Sequence, residues 1–164
     1  MICDFLNNVM TKIPTLAFHT MTLCENVIVI YGGINRDKIM GDVHILKFDG
    51  LHVATASYEK NTKTFPTPRH SHTALYDEIE NKIYFFGGYG EEYPYFLNQL
   101  SIMSINKGNS FTFLNSKITE EISQRCRHTS FLNNRKIYIY GGYGIHHQTK
   151  KKRKLFFKNI FQKF

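Results

Sequence analysis

The 164-residue chain has no tryptophan, three cysteines, four prolines and no apolar run long enough to cross a bilayer as a helix. Each scarcity excludes something. Cys3, Cys24 and Cys126 are odd in number, widely spaced and without a Cys-x-x-Cys pair, so they frame neither a disulfide scaffold nor a zinc ribbon. Free thiols in a reducing compartment are the simplest reading. A membrane helix needs about 20 consecutive apolar residues, and none is expected here. Met1 to Lys12 carries Asp4 and no basic stretch ahead of an apolar one, so a secretory signal is not expected. Also missing are a glycine-rich phosphate loop, Gly-x-Ser-x-Gly, His-Glu-x-x-His and a calcium-loop pattern, the usual marks of nucleotide, acyl-transfer and metal chemistry. Acids are absent from one end: residues 150–164 hold seven Lys and Arg and no Asp or Glu. Without those seven, the net charge of +8 falls to 14 basic against 13 acidic residues, so nucleic-acid binding is not expected of the rest.

What the chain does have is repetition. Three apolar, β-rich runs each end in a glycine pair: Val27–Tyr31 before Gly32-Gly33, Ile83–Phe86 before Gly87-Gly88, and Ile137–Tyr140 before Gly141-Gly142. Successive pairs lie 55 and 54 residues apart, and His19-Thr20, His72-Thr73 and His128-Thr129 precede them. Self-similarity at about 50 residues marks an array of supersecondary units. Within each run both alternating faces are apolar; in the third, Ile137 and Ile139 point one way and Tyr138 and Tyr140 the other. Such a strand must be covered on both sides. The glycine pairs fit places where the backbone turns sharply or packs where a Cβ would clash.

The pattern resembles the kelch repeat, which runs Arg-x-x-His, apolar strand, Gly-Gly, loop, an Asn- or Asp-led strand and a closing strand marked by Trp. Arg69-His70-Ser71-His72 and Arg125-Cys126-Arg127-His128 match the opening, while Leu16 replaces the first arginine. Asp42–Leu46 and Asn98–Ile102 match the third strand; Phe111 stands in for the missing Trp in repeat two, and Leu51 or His52 weakly in repeat one. The resemblance covers residues 14–144 and implies an all-β fold, a partial kelch-type β-propeller. With four strands in each of two repeats and two in the third, it amounts to about two and a half four-stranded blades. The divisions are a lead-in or end of a preceding blade at 1–13, repeats at 14–65, 66–120 and 121–144 (incomplete), and a basic tail at 145–164. Propellers close with about four to eight blades, so the array is read as a fragment of a larger propeller, with closure by self-association as the alternative.

By resemblance, kelch propellers act as non-enzymatic protein-interaction or scaffold modules. The alternative is a fragment of a propeller-based enzyme, or a regulatory subunit associated with a phosphatase or ubiquitin ligase. Oxidases of this fold hold copper through Tyr, His and Cys, but this chain lacks the blades to converge such ligands, and no catalytic residue, metal or cofactor is assigned. His70 and His72, two apart on a strand, share one face; a metal needs three or four ligands, and recurrence of His19, His72 and His128 in every repeat points to blade building. The glycines Gly32, Gly33, Gly87, Gly88, Gly141 and Gly142, with Arg69 and Arg125, join them as the structural motif. Candidate partner-binding loops are Ile34–Gly41, with Arg36, Asp37 and Lys38, and Tyr89–Phe96, where Glu91, Glu92, Tyr93, Tyr95 and Phe96 stand close together. The inter-blade stretch Tyr58–Pro66 lies beside them. Loops on rigid scaffolds carry recognition, and Tyr suits interfaces; against this, Tyr93, Tyr95 and Phe96 could fold back over the blade edge. The expected partner is an unidentified protein, or further blades, and a membrane is not expected.

The tail has three readings. Lys150-Lys151-Lys152-Arg153-Lys154 resembles a nuclear import signal. Phe157, Ile160, Phe161 and Phe164 fall at helical spacing beside cationic residues, as in a membrane- or partner-binding helix. The third is an accidental end: the lysines occupy the place of the repeat's next strand, and Lys, Asn, Ile and Phe are what AT-rich sequence encodes. The expected location is cytoplasmic, or nuclear if the tail is a signal.

Overall fold

A computed structural model describes residues 13–47, 65–106, 111–116 and 122–144, together with the backbone of 53–56 and 157–160. Every regular element among them is a strand. Blade one consists of β1 (Thr20–Cys24), β2 (Val27–Tyr31), a small hairpin of β3 (Ile34–Asn35) and β4 (Lys38–Ile39), then β5 (Val43–Lys47) and β6 (Val53–Ala56). Blade two repeats the plan. A short β7 (Arg69–His70) leads into β8 (Thr73–Asp77), β9 (Lys82–Phe86), β10 (Tyr89–Gly90), β11 (Leu100–Ile105) and β12 (Phe111–Ser116). Blade three has β13 (Cys126–Asn133), β14 (Lys136–Tyr143) and β15 (Phe157–Ile160). The main sheets are antiparallel meanders in the orders β1-β2-β5-β6, β8-β9-β11-β12 and β13-β14-β15.

Two readings of the C-terminal end are corrected. Repeat three does not stop at two strands, because β15 pairs with β14 from Ile137↔Ile160 to Tyr140↔Phe157. Phe157 and Ile160 therefore lie on a strand and not on a helix. Spacing of i, i+3, i+4 fits either element when the run is short, and pairing to the free edge of β14 decides it. Phe161, Phe164 and Lys150 to Lys154 lie outside the described residues, as do Leu51, His52 and residues 57–64.

The core is made where blades stack. Val27, Val29 and Tyr31 pack on Ile83 and Phe85, with Ala74 and Tyr76 against them. One blade further on, Tyr84, Phe86, Leu100 and Ile102 pack on Ile137 and Ile139, with Leu132 beside them. Strand β9 is thus buried on both faces, Ile83 and Phe85 toward blade one and Tyr84 and Phe86 toward blade three, as its unbroken apolar sequence requires. Phe111, which stands for the tryptophan, is fully buried in the first of these seams.

Candidate functional site

The repeated motif forms the seams between blades. All six glycines of the pairs have positive φ, from 65° to 108°, a conformation in which a Cβ is disfavoured. The second glycine of a pair donates its N–H to the next blade's arginine carbonyl: Gly33 to Arg69 and Gly88 to Arg125, both at 2.8 Å. In the first two repeats the threonine of the His-Thr pair meets the next blade's histidine, Thr20 Oγ1 with His72 Nε2 at 2.8 Å and Thr73 Oγ1 with His128 Nε2 at 2.9 Å. In the same seams, the Ser71 N–H donates to the Phe18 carbonyl and the Arg127 N–H to the Ser71 carbonyl, each at 2.9 Å. Phe18, Ser71 and Arg127 all have positive φ, so a third position of the repeat has a fixed backbone role that its varied side chains conceal.

His72 and His128 are buried, and their Nδ1 atoms have no hydrogen-bond partner. An unpartnered lone pair costs less than an unpartnered N–H, which places the proton on Nε2 as the donor to threonine. Burial first, then the nearby arginines, hold both imidazoles below their ordinary pKa: His72 well below, and His128 down to about 4. They are neutral building blocks. His70 does not share their face. The turn at Ser71, with φ of 54°, sends His72 against Tyr31 and Phe85 and His70 against Phe18 and Tyr89. The expectation of a common face is corrected on that ground. Among the described residues no three His, Cys, Asp or Glu side chains gather as a metal site would need.

Arg69 is completely buried. Its Nε donates to the Thr67 carbonyl at 3.1 Å, and Nη1 to the carbonyls of Gly87 at 3.1 Å and Gln99 at 3.4 Å. Nη2 reaches Thr67 Oγ1 at 3.0 Å and the Gln99 side-chain oxygen. Arg125 repeats the core of this arrangement, with Nη1 to the Gly141 carbonyl at 2.9 Å and Nε to the Ser123 carbonyl at 3.2 Å. Each arginine therefore ties the approach to a blade to that blade's own glycine pair.

The loops between second and third strands present a different surface. Strand β10 pairs with β7, setting Tyr89 opposite His70. Tyr89 stacks on Tyr95 at 5.6 Å with planes 9° apart, and Tyr93 stands edge-on to Tyr95 at 6.1 Å. Phe96 turns inward between Tyr89 and Tyr143. The fold-back reading fits Phe96, whereas Tyr93 is 83% exposed and Tyr95 is exposed beside Glu91 and Glu92. Arg36, Asp37 and Lys38 are exposed at the tip of the β3–β4 hairpin. Tyr89 belongs to the loop that the sequence singled out, but the contacts of His70 with Tyr89 and of Tyr143 with Phe96 were not foreseen; only the density of aromatics after the glycine pairs hinted at them.

Comparison with known proteins agrees with this geometry. The family model of the KLHDC2/KLHL20/DRC7 Kelch-repeats domain matches residues 18–160, a span that takes in β15. A probable serine/threonine-protein kinase of Dictyostelium discoideum is 30% identical over 128 residues, which are 77% of this chain and 9% of that protein. The chain spans under a tenth of that relative. With the glycine pairs at positive φ, the blade-to-blade seams and the family match over most of its length, the chain belongs to the kelch-repeat family.

Proposed function

We propose that this kelch array is a non-enzymatic protein-binding or scaffold segment that engages its partner through the Tyr89–Phe96 loop. Kelch domains are interaction modules in general; the choice of loop rests on one observation, the aromatic step of Tyr93 and Tyr95 held on Tyr89. Stacking restricts the rings before a partner arrives, so little side-chain entropy remains to be lost on binding. Aromatic area beside Glu91 and Glu92 suits a partner surface with an apolar hollow edged by basic residues. Attachment to a catalytic or adaptor domain in a longer protein is compatible with this reading, since the kinase relative is far longer than its matched stretch.

A photo-crosslinking residue in place of Tyr93, expressed in the source cells, tests it. A discrete protein adduct is expected, falling at least fivefold with Tyr95→Ala. Equal labelling from a crosslinker at Ile79, exposed on the β8–β9 turn, would overturn the assignment.

A further inference from the structure

Between Lys82 and Lys107 the sequence holds two acids, Glu91 and Glu92, and no Lys, Arg or His. The Tyr89–Phe96 loop lies inside this stretch, and every residue of it is described. The equivalent hairpin of blade one, Ile34–Ile39, carries Arg36, Asp37 and Lys38 and no aromatic ring. Tyrosines and an excess of negative charge therefore come together in the loop of blade two and not in that of blade one. The backbone fixes how the rings stand. Gly90 N–H donates to the Tyr95 carbonyl at 2.7 Å and Leu97 N–H to the Gly88 carbonyl at 2.9 Å, while Tyr89 bridges Phe96. Tyr95 lies on Tyr89 with planes 9° apart, and Tyr89 is itself backed by His70 and Phe96. Tyr93 stands at 89° to Tyr95 with the centroids 6.1 Å apart. Two ring planes at right angles make a corner, and both rings are exposed.

The face of an aromatic ring is electrostatically negative and attracts a cation within about 6 Å of its centroid. An aliphatic group placed in the corner would gain contact area from the rings and nothing from Glu91 and Glu92. A group that gains from both rings and carboxylates must be positive. Of the two strongly basic side chains, the ammonium of lysine is compact and tightly hydrated, and at an exposed site water competes for it. The guanidinium of arginine is planar and less hydrated; it can lie flat on a ring while its N–H groups reach a carboxylate. Arg127 of blade three is engaged elsewhere, 6.0 Å over the Phe18 ring.

We propose that the corner of Tyr93 and Tyr95 seats an arginine side chain of the partner protein, with Glu91 and Glu92 accepting hydrogen bonds from its guanidinium. This rests on the loop-binding reading above and names the basic group which that reading asks of the partner. Tyr89 serves as the floor that holds Tyr95 in place, so the corner stands ready before the arginine arrives.

The probe is a fluorescein-labelled peptide of alternating Gly and Arg, titrated with the full chain and followed by anisotropy. The chain's net charge of +8 repels such a peptide, so saturable binding calls for a local site. The same peptide with Lys in place of Arg should bind at least fivefold more weakly. Tyr93→Leu keeps an apolar side chain without a π face and should weaken binding at least fivefold, whereas Tyr93→Phe should stay within about twofold. Glu91→Gln with Glu92→Gln should weaken it at least fivefold as well. All three positions are exposed, so the variants should keep the parent's urea midpoint. No saturable binding, equal binding of the lysine peptide, or a Tyr93→Leu variant that binds as the parent does overturns the proposal. If that result comes while the crosslinker at Tyr93 still gives its discrete adduct, the loop-binding reading stands and the arginine alone is refuted. If the crosslinker at Ile79 labels equally, the loop-binding reading falls too.

Discussion

A guanidinium with no water around it must find acceptors for its five N–H groups within the protein, and Arg69 finds them in the carbonyls of Thr67, Gly87 and Gln99 and in neutral side-chain oxygens. Its pKa is lowered by burial, while the neighbouring Tyr31 favours the charged form. The side chain therefore acts as a charged staple between the lead-in of blade two and its glycine pair. Arg69→Met should leave those carbonyls buried without donors and cost about 3 kcal/mol or more, read as a drop in the urea midpoint. Arg69→Lys should recover little, because an ammonium cannot span the same acceptors. The sequence revealed that Arg69 and His72 recur with Arg125 and His128. It did not reveal that His70 parts from His72, because a serine at Ser71 gives no sign of a left-handed turn; only Phe18 and Arg127 at the equivalent places, seen with their φ angles, show that the turn belongs to the repeat.

At the scale of strands, the glycine pairs and two-faced apolar runs made β2, β9 and β14 legible, since both follow from burial on two sides. Strand β15 was hidden by the lysine-rich stretch before it, which interrupts the spacing of the repeat, and by aromatic spacing that a helix would share. Its worth can be measured. Truncation after Gly144 removes β15 and turns the Ile137–Tyr140 stretch of β14 into an open edge, with unpaired backbone groups on a sequence of high β propensity. The truncated chain should melt several degrees lower and scatter light at concentrations where the full chain stays clear. Unchanged melting and solubility would mean that the pairing of β14 with β15 contributes no stability, and would return the segment to the reading of an accidental end.

For the molecule as a whole, stability resides in the seams between blades, and each described seam contains one buried imidazole. His72 and His128 have folded-state pKa values depressed below the ordinary 6.5, the latter to about 4. Above pH 6.5 both are neutral whether folded or unfolded, and they make stability independent of pH. Below it the unfolded chain takes up protons that the folded chain refuses, so stability falls as the pH drops from 6.5 toward 4. For His128 alone the loss reaches about 2 kcal/mol by pH 5, at about 1.4 kcal/mol per unit, and His72 adds to it in the same direction. Urea unfolding at pH 7, 6, 5 and 4.5 should show this decline. His128→Gln, whose amide can still meet Thr73 Oγ1 without titrating, should be less stable at pH 7 yet lose less on acidification. An equal slope in the variant would show that the decline comes from other groups. A slope that is halved would place acid sensitivity at the contact between Thr73 and His128, where one blade meets the next.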